Sequence, residues 1–176
     1  MTIFRQLIYN AMILITLMFI YSELNIRRSN HNIYKQIFIG IVIGLGGLFI
    51  MMNPYHLENT YYDTRSIIIS LAGAFFGVIP TVIASFMTIA YRVYDAFANN
   101  TMVGVYAGTL TIVTSAILGL LWYRYRRNKV KNYAVEFLVF GFVNHIVMLL
   151  CQLTISFEQV MKVILPVLAI YPLTTM

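Results

Sequence analysis

Cysteine and charge are what this sequence is short of. A single cysteine, Cys151, in 176 residues excludes disulfides and cysteine-held metals. It lies inside an apolar run, so it reads as a small packing residue. Only 10% of the residues are charged, against roughly 25% in soluble domains. With 60% hydrophobic residues and a mean hydropathy of +0.80, a soluble globular protein is excluded and an integral membrane protein is implied. No P-loop, HExxH or GxSxG pattern occurs, and no pair of acidic residues stands inside an apolar run. His31 and His56 lie in loops without ligand-like spacing. The residues therefore argue against catalysis, and neither a metal nor a cofactor is expected. The net charge of +6 is carried largely by short loops between apolar runs. There it reports topology, and no nucleic-acid partner is read from it.

What is present is a series of apolar runs, and the length suits one compact helical unit. Residues 4–22 form the first, without the small-x-small site that would follow a cleaved signal. A polar loop with Arg27, Arg28 and Lys35 precedes a second helix over about 37–53. Its Gly40, Gly44 and Gly47 share a face suited to close packing, and Asn53-Pro54 ends it. A tyrosine-rich loop, 53–65, leads to the apolar stretch 66–92, which is bracketed by acid–base clusters and broken at Gly77-Val-Ile-Pro80. After a loop to Met102 come helices over about 103–122, ending in Trp122-Tyr123, and 134–152. Between these two lies the most basic loop, Arg124 to Lys131, where Glu136 is expected to pair with Lys129 or Lys131. A last apolar run from Val160, with Pro166 and Pro172, is still apolar at Met176. That ending suggests a membrane part cut from a longer polypeptide.

Length alone does not settle the stretch 66–92. One straight helix of 27 residues would be about 40 Å long, against a hydrocarbon core of about 30 Å. Two arms of about 12 residues would reach only about 18–20 Å each. Loop charge decides, because short Lys/Arg-rich loops face the cytoplasm. A single crossing would put the five cations of the basic loop outside, whereas a hairpin puts both basic loops inside. The expected fold is therefore an all-α polytopic membrane bundle of about 6–7 transmembrane segments, with a short-helix hairpin at 66–92. The N-terminus is outside and the C-terminus cytoplasmic.

The hairpin gathers Asp63, Arg65, Arg92 and Asp95 on the outer side. Two shielded guanidiniums suit bidentate capture of a small carboxylate or phosphate. The amides of the helix opening at Arg65-Ser66 favour the same charge. Tyr61, Tyr62, Tyr91 and Tyr94 could add hydroxyls and walls, and Tyr106 is a further candidate. The plainer reading makes these clusters interfacial salt bridges and a tyrosine belt. Asn144 and His145, at mid-membrane, either bridge helices by hydrogen bonds or touch a ligand.

Tyr62-Asp-Thr-Arg-Ser-Ile67, Leu71-Ala-Gly-Ala-Phe-Phe-Gly-Val-Ile-Pro80 and Ala90-Tyr-Arg92 resemble the core signature of the LytS/YhcK-type five-transmembrane receptor family, 5TMR-LYT. Leu165-Pro166 and Ile170-Tyr-Pro172 are similar to its final helix. The resemblance divides the chain into a first helix and loop, 1–36, and a sensor domain, 37–176. It implies a signal-input domain in the bacterial cell membrane, ahead of a cytoplasmic histidine kinase or GGDEF diguanylate cyclase that makes cyclic di-GMP. It further implies that Arg65 and Arg92 are the family's two motif arginines, small carboxylates a ligand class, and a homodimer formed through the output domain. One departure stands out: Ala96-Phe-Ala-Asn-Asn100 replaces the glycines common after the Tyr-Arg motif. The alternative function is a substrate-binding membrane subunit of a small-molecule transporter.

Overall fold

The computed structural model describes Met12 and residues 32–52, 55–57, 60–62, 65–99, 103–126 and 133–153. Among them are five helices: α1 Ile33–Met51, α2 Arg65–Phe76, α3 Val78–Asn99, α4 Val103–Arg126 and α5 Tyr133–Gln152. Two short strands, β1 Tyr55–Leu57 and β2 Thr60–Tyr62, pair antiparallel with Tyr55 opposite Tyr62. The tyrosine-rich loop thus holds a small strand pair, the one departure from helix among the described elements. The expected first helix, Met12 apart, and the run from Val160 lie outside the described residues, as does Asp63. Two described helices, Ile33–Met51 and Val105–Tyr125, are long and apolar enough to cross a membrane.

Helix α1 starts where Asn32 caps it, its side-chain oxygen accepting from the Tyr34 amide at 3.0 Å. The stretch 66–92 breaks, as loop charge required, but at one residue. Gly77 takes φ +88°, which a side chain would resist. Pro80 sits in the first turn of α3, where its missing N–H leaves no intrahelical bond unmade. The Thr81 hydroxyl donates to the Gly77 carbonyl at 2.7 Å and tightens the turn.

The arms, however, are unequal. α2 has the expected 12 residues, but α3 has 22 and runs through Asp95 to Asn99. At 1.5 Å per residue α3 is about 33 Å long, enough to span a bilayer upright, whereas α2 is about 18 Å and is not. The extension has a local cause. Ala96-Phe-Ala98 favours helix more than glycines would, and Asn99 Nδ2 donates to Asp95 Oδ1 at 2.8 Å one turn back. Likewise α4 continues past Trp122 to Arg126, and Trp122 lies against Phe140 with ring centroids 4.9 Å apart. Trp122 therefore lies within α4, short of its end, and helps join α4 to α5.

Glycines set the packing. The largest helix contacts are α2 with α4 and α1 with α3. Gly40 faces Pro80 and Ile83, Gly44 faces Met87, and Gly47 faces Thr88. Both numbers rise together, so α1 and α3 run parallel. Gly108 faces Arg65, and Gly119 faces Ser70 and Gly73, so α2 and α4 also run parallel. Thr114 lies by Cys151 at 3.6 Å and Trp122 by Phe140, which makes α4 and α5 antiparallel. Arg65, Arg92, Gly108 and Met148 consequently share one end of the bundle, and Gly77 lies at the other.

Candidate ligand site

Arg65 is the first residue of α2, and Arg92 lies in the fourth turn of α3. On α3 the buried positions Pro80, Ala84, Thr88, Arg92 and Ala96 recur every four residues, one face of a helix. Arg92 is thus aimed inward by the same periodicity that buries its small neighbours. Both arginines are enclosed, at 3% and 4% exposure.

They meet over α4. A Cβ built on Gly108 would stand 2.9 Å from Arg92 Nε and 3.0 Å from Arg65 Nη2. The two guanidinium atoms can therefore be no farther apart than those two distances laid end to end. Glycine is what lets both rest on the α4 backbone. Buried like charges at this range are expensive unless compensated. Both arginines make further interactions within the fold, and an anion between them would supply compensation of the opposite sign. The α2 amides open at the same end, so the first helical turn adds donors there.

Ser66, fully buried beside Arg65, donates its hydroxyl to Met148 Sδ at 3.7 Å. That contact brings α5 to the site. Asp95 is half-buried and its Oδ1 is engaged by Asn99. Tyr91 is half-buried on α3. Tyr62 falls in β2, level with Tyr55. Tyr106 is 86% exposed. Two residues are 200° around a helix, so Gly108 facing inward turns Tyr106 outward, away from the arginines. Asn144 and His145 are both fully buried on α5, one turn inward from Met148. His145 Nδ1 lies 2.6 Å from the Gly141 carbonyl of its own helix.

Two contributors escape a search for polar residues, because neither is polar: Gly108 and Met148. The signal for Gly108 is the small-residue stripe Gly108, Thr111, Ser115, Gly119 along α4. Gly108→Ala should leave the fold nearly as stable, since its Cβ meets flexible side-chain ends. Displacing both guanidiniums should weaken anion binding about tenfold, or about 1.4 kcal/mol. Isothermal titration of the purified variant with a stabilising anion checks this, and wild-type affinity would remove Gly108 from the site.

A family model described as "5TMR of 5TMR-LYT" matches residues 18–176. No curated protein and no solved structure matches the chain.

Proposed function

The chain belongs to the 5TMR-LYT family, a membrane sensor domain, and from that membership we propose that it is the signal-input part of a bacterial receptor for a small extracellular carboxylate. The observation that carries the reading is the meeting of Arg65 and Arg92, buried, over Gly108. Two planar forks within reach of one small ligand match a carboxylate's two oxygens. The apolar surroundings strengthen each charge-assisted bond.

In this reading the arginine end of the bundle faces outward, with the basic 123–133 loop and the C-terminus in the cytoplasm. The whole domain has six or seven membrane segments, counting the hairpin arms separately. Gly77, the single residue between α2 and α3, acts as the hinge. A bound anion neutralises the two cations and draws α2 and α3 together at their open end. Ser66 against Met148 passes that movement to α5, and the final helix carries it to a cytoplasmic output domain. That domain is a diguanylate cyclase or a histidine kinase acting as a dimer, and chemistry belongs to it.

A small-anion stability screen of the purified domain tests the reading. Ligand at about 100 times its Kd should add about 2.7 kcal/mol. For a chain of this size that is a rise in Tm of roughly 5–10 °C. Acetate and larger monocarboxylates are compared with phosphate and with chloride at equal ionic strength. If no small anion raises Tm, the arginines are helix anchors. Orientation is tested separately by Asn99→Cys, which an impermeant maleimide should label in intact cells. Labelling only after lysis would invert the assignment.

A further inference from the structure

Beneath the arginine pair the bundle buries polar groups that have no hydrogen-bond partner. Asn144 and Ser115 are each 0% exposed. Neither the amide nitrogen nor the amide oxygen of Asn144 is satisfied, and the Ser115 hydroxyl is not satisfied either. Inside an apolar bundle each such group is costly. Isolated orphans of this kind are rare in native folds, and a bound water is a common explanation.

Contacts elsewhere fix where these groups lie. α2 runs with α4 and α4 against α5, so α2 is antiparallel to α5; Ser66 against Met148 sets their register, and one turn further in Ser70 and Asn144 fall level. Trp122 against Phe140 sets α4 against α5 and brings Asn144 level with residues 118–119. Gly119 in turn lies against the Ser70 carbonyl. Three helices therefore converge at one depth, with Ser115 one turn nearer the arginines on the buried stripe of α4. Ser70, also fully buried, gives its hydroxyl proton to the Ile67 carbonyl at 3.0 Å and keeps accepting capacity.

We infer that Asn144, Ser115 and Ser70 line an internal hydration site, one turn inward of the guanidinium pair, which ties α5 to the α2–α4 seam through water. Water suits the donor set: an amide that both gives and accepts, a hydroxyl that does either, and a second hydroxyl with open lone pairs. A charged ligand does not, because no charged side chain is supplied at this depth by α2, α4 or α5. The inference stands apart from the carboxylate reading and would survive that reading's failure.

The test is a double-mutant cycle on Tm with the purified domain in lipid nanodiscs, using Asn144→Leu, Ser115→Ala and the pair. If water links the two residues, each single variant leaves the other group less well hydrated, so it lowers Tm or barely moves it. The double variant then recovers more than the singles predict. Dry, independent orphans would give two rises in Tm that simply add, and that result overturns the inference. A second readout needs no assumption about folding energetics. X-ray radiolysis in ¹⁸O-labelled water should place label on Met148 or His145, beside the site, and Asn144→Leu should remove it. Labelling confined to the helix ends would also overturn the proposal.

Discussion

Arg65→Ala and Arg92→Ala are each expected to abolish the stabilisation that a small carboxylate gives this domain, while the unliganded protein keeps its fold. The expectation rests on geometry. The two side chains come from different helices and converge on one glycine, so in the proposed site each would supply half of a clamp and neither could stand in for the other. A hydrogen bond to a charged group is worth about 1.5–3 kcal/mol, so losing one fork should weaken binding by about ten- to more than a hundredfold. The fold should survive because the pair also repel. Two unit charges about 6 Å apart oppose each other by about 3 kcal/mol at an effective dielectric of ~20. Removing either one therefore gives back part of what the lost contacts cost, and apo Tm should stay within a few degrees of wild type. Lysine at either position sharpens the test, since it keeps the charge but loses the fork. Arg65→Lys and Arg92→Lys should bind at least several-fold more weakly than wild type and more tightly than the alanine variants. An anion that stabilises all four variants as it does the wild type binds somewhere else.

The meeting of Arg65 and Arg92 at one end of the bundle is legible in the sequence, but through the loops rather than the arginines. The cations of 124–131, far along the chain, required 66–92 to fold back, and folding back brings Arg65 and Arg92 to one end. Helix lengths were less legible because in a membrane bundle the outer face is apolar as well. On α3 the exposed Val78, Val82, Phe86 and Phe97 erase the polar stripe that would mark a boundary in water. Extending α3 from Arg92 to Asn99 depends instead on alanine propensity and the Asp95–Asn99 bond. The spacing of the α1 glycines predicts a packing surface, and that face lies on α3. Gly108 and Gly119 carry no such signal, because a lone glycine says nothing until the group it opposes is known. Tyr106 illustrates the converse. Its chemistry suits an anion site, but its register on α4 faces it outward.

Gly119→Ala is expected to be the most damaging single-methyl substitution in the described bundle. An added Cβ would press directly on the Ser70 carbonyl oxygen, and would stand 2.9 Å from the Ser70 carbonyl carbon and 3.1 Å from the Gly73 Cα. All three are backbone atoms, so no rotamer change can make room and α2 must move off α4. Overpacking of this kind typically destabilises by about 1–3 kcal/mol, and by more where the neighbours are rigid. Gly44→Ala is the matched control. Its Cβ would stand 2.5 Å from Met87 Sδ, the flexible part of a side chain that can swing aside, so its cost should be far smaller. The comparison of Tm and of monodisperse yield separates close backbone approach from a general intolerance of alanine. Equal losses in both variants would sink the claim. The seam also reaches the site. Gly119 lies three turns along α4 from Gly108, and α2 carries both Ser70 and Arg65. Levering α2 away at Gly119 should therefore draw Arg65 from Arg92, and any Gly119→Ala protein that still folds should bind carboxylate more weakly than wild type. A folded Gly119→Ala protein with wild-type affinity would mean that the two ends of α2 move independently.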